Sequence, residues 1–374
     1  MVALQAVIDR SQLPKSLEDP RRKLSVQHYL SVFLFGLFNP VVESMRDVCQ
    51  LSGDPQLAAL TGGRRISLGS FSEIQAVLDP MLLHEVFKDL VQSRVATPPR
   101  PEPWAALGLI AQDGSLWRAL PRMSWAEYGV GPKGEAKAVR LHLRFDLGRE
   151  MPVDARITTG KGCERSALRK MLVPGQTTVG DRYYGADYKL MSQIQAAGAF
   201  FVFRIKESAV VQDASHYPLS PQEAAAGILS HQRACLGAHL SQRSISLRLI
   251  RSRRDGSEVL LATNLSTEQA SATLVAQIYT QRWAIELYFK WLKCILRCRH
   301  FFAESSHGVA IQIYLALIAS VLMADATGQR PTPRMMKIIH WCFLGMISVE
   351  SAMRFMAETH ATLVARRAAR KKKA

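Results

Sequence analysis

The stretch from Tyr279 to Lys293, YTQRWAIELYFKWLK, constrains this chain more than any other. It is apolar enough to bury, yet it carries one carboxylate and several cations at regular intervals. Counted from Tyr279, Arg282 lies three residues on, Glu286 seven and Lys293 fourteen. At about 100° per residue, these offsets fall within about 60° of one another on an α-helix. Lys290 and Arg297 project onto the same stripe. The opposite face (Ile278, Ile285, Trp291, Leu292 and Leu296) is apolar and suits docking on a core. A metal-binding acid flanked by phosphate-holding groups takes this form. A solvated face of i, i+4 ion pairs explains the same pattern, so the stretch alone leaves both readings open.

Charge narrows the choice of partner. In a chain of 374 residues, long enough for two or three domains, 48 Lys and Arg oppose 31 Asp and Glu, a formal net charge of +17. The C-terminal ARRAARKKKA holds only six of those cations, so the body itself is basic. A basic body favours a polyanion, with nucleic acid ahead of a membrane surface. The six cysteines (49, 163, 235, 294, 298 and 342) form no C-x-x-C pair. Cys294 and Cys298 are four apart, but two ligands make a poor zinc site, and free thiols in a reducing compartment are expected. The longest apolar run, Val309 to Ala326, is interrupted by Gln312, Tyr314, Ser320 and Asp325. It reads as a buried helix and not as a membrane span.

Taken in order, residues 1–96 read as helical. Ser25 to Phe38 stops before Asn39-Pro40, short helices follow at Val41 to Cys49 and Pro55 to Leu60, Ser67 to Leu78 is capped, and Pro80 to Val95 is amphipathic. Basic edges such as Arg64-Arg65 suit DNA-end binding, and a plain bundle accounts for the same residues. A Pro-rich linker spans 97–104. The pattern then changes to α/β over 105–205. Strands are expected at Ala106 to Gln112, Val139 to Phe145, Pro152 to Thr158, Gln176 to Val179 and Phe200 to Ile205, with helices at Glu164 to Leu172 and Tyr188 to Ala197. Residues 206–265 interrupt it as a β-rich insertion, with Ser244 to Arg251 and Val259 to Thr263 flanking the turn Arg254-Asp255-Gly256. Ser266 to Gln269 reads as a capping box that starts the long helix. Residues 266–330 complete the second domain, 331–364 form a helical C-terminal region, and 365–374 are a solvated basic tail.

Three acids then stand out. Asp113 and Asp181 each follow a predicted strand among small residues, and the carboxyl ends of strands are where sites form in open α/β sheets. Glu286 on the long helix can complete a cluster of three hard oxygen donors, a set suited to Mg²⁺ with Mn²⁺ as substitute. For any one of these acids, a turn-capping carboxylate is the plainer explanation. His142, Asp146, Asp154, Glu164 and Asp187 are read as structural neighbours, Asp187 being the substitute for Asp181. Trp283 and Trp291 are read as core.

These residues resemble the bacterial DDE transposases of the insertion-sequence-four family. The family signature Tyr-x2-Arg-x3-Glu-x6-Lys is matched at Tyr279, Arg282, Glu286 and Lys293, with the frequent Trp at 283. Asp113-Gly-Ser and Gly180-Asp181-Arg182-Tyr183 look like the family's first and second acid motifs. The resemblance implies a ribonuclease-H-like mixed sheet with a β-rich insertion behind a helical N-terminal domain. It makes Asp113, Asp181 and Glu286 the catalytic metal ligands, and Tyr279, Arg282, Lys290 and Lys293 the DNA contacts. It implies a transposase that binds inverted ends of double-stranded DNA as a dimer, cleaves there and joins 3′ ends to target DNA, in the bacterial cytoplasm beside the nucleoid and without a membrane. Related members that cut through a DNA hairpin stack a flipped base on a tryptophan of the insertion. Residues 206–265 contain no Trp here, and Tyr217 is the aromatic that could stand in.

Overall fold

Serine and aspartate side chains set most of the early helix starts. In the computed structural model, which describes residues 24–61, 63–95, 102–131, 134–238, 244–254, 256–295, 301–328 and 330–371, Ser25 accepts from the His28 N–H and opens α1 (Val26–Phe38). Ser44 and Asp47 form a reciprocal capping box at α2 (Met45–Leu51). Asp54 accepts from the Leu57 N–H at 3.1 Å at the start of α3 (Pro55–Thr61). Ser67 caps α4 (Leu68–Val77), and α5 (Pro80–Val95) follows. Each cap satisfies an N–H that the first helical turn leaves without a carbonyl partner.

The α/β part follows in order: β1 (Leu109–Arg118), β2 (Glu127–Gly131), β3 (Gly134–Asp146), β4 (Met151–Thr159), α6 (Glu164–Arg169), β5 (Thr177–Gly180), α7 (Tyr188–Ala196), β6 (Phe200–Ile205), β7 (Val211–His216), α8 (Pro221–Ala225), β8 (Ile228–Leu236), β9 (Leu247–Arg254) and β10 (Ser257–Thr263). The chain ends in α9 (Ala272–Gln281), α10 (Trp283–Ile295), α11 (Ser306–Thr327), α12 (Pro333–Phe343) and α13 (Val349–Lys371). Two compact units result. One holds the described parts of Met1–Ala96, Trp117–Val139 and Leu287–Ala374, the other those of Thr97–Leu116 and Arg140–Glu286.

In the first unit, Tyr29, Phe33 and Phe71 meet edge-on or tilted, with ring centroids 4.8–5.6 Å apart. Such contacts add to the burial of three large side chains. Helix α11 is long and apolar enough to cross a membrane, and 72% of its most apolar window is buried within the fold. Gly308 sits where a Cβ would lie 2.4 Å from the Ala303 Cβ, so the start of α11 packs tightly. Arg94 pairs with Asp325 across α5 and α11.

The second unit is a mixed α/β body on a large mixed sheet. Its strands run β3-β1-β5-β6-β10-β9-β8-β7, with β4 beside β3. β5 is parallel to both β1 and β6, whereas β10, β9, β8 and β7 continue antiparallel. Residues 206–265 therefore extend the same sheet from β6. Leu168, Leu190, Met191, Ile194, Phe201, Phe203, Leu249 and Leu260 bury together where α6 and α7 cover it. Arg248 of β9 is buried. Its Nη1 donates to the carbonyls of Leu265, Ser266 and Ala270 at 2.8–2.9 Å, and its Nε donates to His231 Nε2 at 3.1 Å. Burial, then the Arg248 charge, pushes the His231 pKa down to about 4, so the imidazole is a neutral acceptor. This hub ties β8 and β9 to the loop that begins α9.

Several expectations need correction. The Ser266–Gln269 bonds are present, with Ser266 N–H to Gln269 Oε1 at 2.9 Å and Gln269 N–H to Ser266 Oγ at 3.3 Å, but they close a turn. Ser271 caps the helix itself. The expected single helix is broken at Arg282, where i→i−3 bonds (Arg282 N–H to Tyr279 O, Ile285 N–H to Arg282 O) replace the α pattern. Strand β2 was not among the expected elements; it pairs antiparallel with β3, with a register shift between Glu127 and Gly129. Helix α13 reaches Lys371, so much of 365–374 is helical. Trp291 is fully buried, but Trp283 is 49% exposed. Residues 97–101 of the linker, Asp255 of the hairpin turn, Leu296, Arg297, Cys298 and 372–374 of the tail lie outside the described residues.

Gly185 tests how closely the turn after Asp181 packs. A Cβ there would lie 2.0 Å from the Arg204 carbonyl oxygen of β6. Gly185→Ala is expected to cost about 1–3 kcal/mol, read as a lower urea midpoint. An unchanged midpoint would mean that the turn does not rest on β6.

Candidate active site

The parallel register of β1 and β5 is the starting point. It pairs Leu109 with Thr177, Ile110 with Thr178 and Ala111 with Val179. β5 ends at Gly180, so Asp181 directly follows the strand beside β1, near enough to add its charge to Asp113. Asp113 is in mid-strand and not beyond the strand end as expected, and the pairing of β1 with β5 stops at Ala111. Glycines follow or precede both acids, at 114 and 180.

Asp113 is half-buried, its Oδ1 accepting from the Gly114 N–H at 2.8 Å. Burial raises its pKa to about 7; that amide opposes the rise, the negative charges of Glu164 and Asp181 add to it, and Arg282 opposes it. Asp181 Oδ1 accepts from the Tyr183 N–H at 2.9 Å. Glu286, in the first turn of α10, accepts from Arg282 Nη2 at 2.7 Å. Burial depresses the Arg282 pKa, but Tyr279, Glu286 and Asp113 more than offset this and leave it raised. Its guanidinium carbon lies 5.7 Å from the Tyr279 ring centroid. One cation thus answers two of the three acids.

Glu164 was read as a bystander and belongs to this neighbourhood. A Cβ on Gly114 would lie 2.6 Å from Glu164 Oε1, so the acid leans on the backbone next to Asp113. Arg140 pairs with it, and the Tyr184 hydroxyl is 3.4 Å from its Oε2. Burial raises its pKa, Arg140 lowers it, and Asp181 raises it further, for a net upward shift. No spacing in the sequence distinguishes Glu164, because β4 and α6 bring it to β1 only in the folded chain. The other neighbours are structural. Asp187 caps α7 through the Leu190 N–H and binds Arg169 at 2.6 Å. Asp146 binds the Arg149 N–H and guanidinium, Asp154 accepts from the Ala155 N–H, and buried His142 lies 2.9 Å from Thr158 Oγ1. Tyr217 is stacked on His231, centroids 4.2 Å apart.

In the other unit, Lys290 is exposed on α10, and Lys293 Nζ lies 5.7 Å from the Trp117 ring centroid. Among the described residues, no three His, Cys, Asp or Glu side chains are grouped closely enough to hold a metal ion. Glu286 is engaged by Arg282 and Glu164 by Arg140. Asp113 and Asp181 nonetheless suit a small hard cation. One of the pair is pushed toward its neutral form by burial and by like charge, and Mg²⁺ commonly binds through one or two carboxylates, completing its shell with water and phosphate.

The chain matches the Transposase DDE domain family over residues 104–322, a span that contains all three acids. It belongs to that family. It is 28% identical over 204 residues to a protein described as a probable transposase for insertion sequence element IS5377 from Geobacillus stearothermophilus, covering 54% of this chain and 52% of that one. A transposase relative designated y4zB from Sinorhizobium fredii is 26% identical over 197 residues, 52% and 54% of the two chains. The chain thus spans about half the length of the curated relatives it matches. Among solved structures, the piggyBac transposase synaptic complex with hairpin DNA aligns over 94% of this chain and 77% of that one, at 10% identity and a TM-score of 0.43. At that score it fixes no fold.

The raised pKa of Asp113 makes a stability prediction. Folded Asp113 keeps its proton to about pH 7, whereas the unfolded chain loses it near the ordinary carboxylate value. The folded state binds more protons in that window, so this group's contribution to stability falls as pH rises through it. In metal-free buffer, Asp113→Asn is expected to gain stability relative to wild type as pH is raised from about 4 to about 8. Urea unfolding at several pH values checks it, and a difference independent of pH would show that Asp113 ionises freely.

Proposed function

We propose that this chain is a DNA transposase of the insertion-sequence-four type. It would bind the inverted ends of its element, cleave beside them and join the freed 3′ ends to target DNA. The observation that carries this reading is that Asp181, which directly follows β5, lies near enough to Asp113 of β1 to add its charge, with Arg282 answering both Asp113 and Glu286, inside the family-matched span. The strand order β4-β3-β1-β5-β6 supports a ribonuclease-H-like sheet, with β7 to β10 as the insertion before Glu286.

Asp113, Asp181 and Glu286 would hold divalent magnesium, with manganese able to substitute. When bound, it would supply charge stabilisation for phosphoryl transfer and an activated water or 3′-hydroxyl. The chain's own residues would position the strand. The planar guanidinium of Arg282 can hold two phosphate oxygens at once, and by turning to a phosphate it would free Glu286 for the site. Tyr279 would donate its phenol to a phosphate, and Lys290 and Lys293 would add phosphate contacts along α10. The partners would be double-stranded DNA ends and target, bridged by at least a dimer, in the cytoplasm beside the nucleoid.

Three substitutions separate chemistry from binding. Asp113→Asn, Asp181→Asn and Glu286→Gln each remove a proposed ligand and almost no volume. Each is expected to abolish nicking in Mg²⁺ while gel-shift affinity for the ends stays close to wild type. Near wild-type nicking by any one of them removes that residue from the ligand set. A strand-transfer assay on the wild type then distinguishes joining from hydrolysis alone, the outcome of a nuclease.

The cation stripe is tested by salt. Arg282→Ala and Lys293→Ala should weaken end binding largely independently of sequence and flatten the log–log salt slope by about one unit per lost phosphate. Arg282→Lys should also impair cleavage, because charge survives but the fork does not. If the stripe only pairs with Glu286, Arg282→Ala instead costs about 0.2–0.5 kcal/mol of stability and leaves DNA binding alone.

A further inference from the structure

Gly114 takes no left-handed conformation, so its missing side chain answers to space. A Cβ there would lie 2.6 Å from Glu164 Oε1, 2.7 Å from Cδ and 3.0 Å from Cγ. The end of the Glu164 side chain fills the room that a side chain at 114 would take. Successive residues of a strand point to opposite faces, so this carboxylate lies behind the backbone from which Asp113 projects. It is fixed there. Arg140 Nη1 pairs with Oε1, and the Arg140 fork is itself held by the Gly160 carbonyl, which accepts from Nε and Nη2 at 3.3 Å. The fully buried Tyr184 hydroxyl donates to Oε2 at 3.4 Å. Burial pushes the Tyr184 pKa well above the ordinary phenol value, and the charges of Glu164, Asp113 and Asp181 push it further. One phenol thus keeps its proton and feels all three acids.

An Arg–Glu pair between β3 and α6 also makes a plain structural latch. A latch needs one acid and one cation. It does not need the acid to occupy the side-chain space of Gly114, behind a second carboxylate, where like charges cost stability. Glu164 is not itself a ligand, because Arg140 and Tyr184 engage both of its oxygens. What it offers is a fixed negative charge behind one of two acids that suit a small hard cation. Groups just outside a metal's own ligands orient them and strengthen their hold.

We infer that Glu164 is a positioning residue for the proposed cation site: acting through the Asp113–Gly114 backbone, its fixed charge strengthens the grip of Asp113 and Asp181 on a divalent metal ion. This rests on the metal-dependent reading above and extends it to an acid outside the set of Asp113, Asp181 and Glu286. Arg140 offsets part of that charge, so the two partners act on metal affinity in opposite directions.

The test is Mn²⁺ uptake by the full chain without DNA at pH 8, read from the electron paramagnetic resonance signal of the free ion. Wild type is expected to take up Mn²⁺, and Asp113→Asn to lose it. Glu164→Gln is expected to bind about tenfold more weakly, and Arg140→Gln more tightly than wild type. If both variants bind more weakly, the pair is a latch and the inference is overturned. It is equally overturned if folded Glu164→Gln binds like wild type, or if uptake survives Asp113→Asn. Wild type that takes up no Mn²⁺ overturns it too, and nicking by wild type in Mg²⁺ then decides the transposase reading separately. Should Glu164→Gln lose its fold by circular dichroism, Arg140→Gln decides: tighter binding supports the inference, and unchanged or weaker binding overturns it.

Discussion

The closeness of like charges at the β1–β5 edge is the interaction on which the rest of the site depends. Asp181 directly follows β5 near Asp113 of β1, and Glu164 leans on the backbone beside Asp113. Half-buried carboxylates so placed repel one another in a medium less polar than water. The fold does not neutralise this with a pairing cation for every acid. Arg140 answers Glu164, and Arg282 is shared between Glu286 and Asp113. Burial pushes the Asp113 pKa up to about 7, the Gly114 amide opposes that, the charges of Glu164 and Asp181 add to it, and Arg282 opposes the rise only in part. Structure alone gains nothing from such an arrangement, and strained electrostatics of this kind cluster at functional sites.

Arg282 is the pivot of that balance. It stands at the break between α9 and α10, where the helix tightens for one turn before continuing. Without the break, α10 would follow the straight course that its sequence predicts. With it, the guanidinium keeps Glu286 at 2.7 Å and is still felt by Asp113. Farther off, the buried Arg248 gathers three carbonyls of the loop leading into α9 and leans on neutral His231. Arg248 Nη2 is buried without a hydrogen-bond partner, but the bonds of Nε and Nη1 fasten β8 and β9 to the segment that delivers Arg282. The β-rich segment thereby joins the positioning of the site through backbone contacts.

Much of the fold was legible because period and composition are local. The alternation of Val139 to Phe145, the apolar FFVFRI and the capping serines at 25 and 67 identify elements by their own chemistry. Misreadings arose where a local signal was real but another contact decided its use. The Ser266–Gln269 bonds form as their spacing suggests, yet the chain turns once more before Ser271 starts the helix. Trp283 has the composition of a core residue and remains half-exposed, while Trp291 on the same helix is buried.

The sequence by itself determined which residues stand out as candidates. Asp113 and Asp181 follow apolar strand-forming runs and neighbour glycines, and the Tyr-x2-Arg-x3-Glu-x6-Lys spacing selects Tyr279, Arg282, Glu286 and Lys293, because helical period acts within a few turns. Only the tertiary structure decided what those residues meet. It brought Glu164 to Gly114, gave Arg282 to Glu286, and fixed Glu164 between Arg140 and Tyr184. These are contacts between segments far apart in the chain or between side chains whose directions depend on packing, and one-dimensional spacing carries no information on such distances.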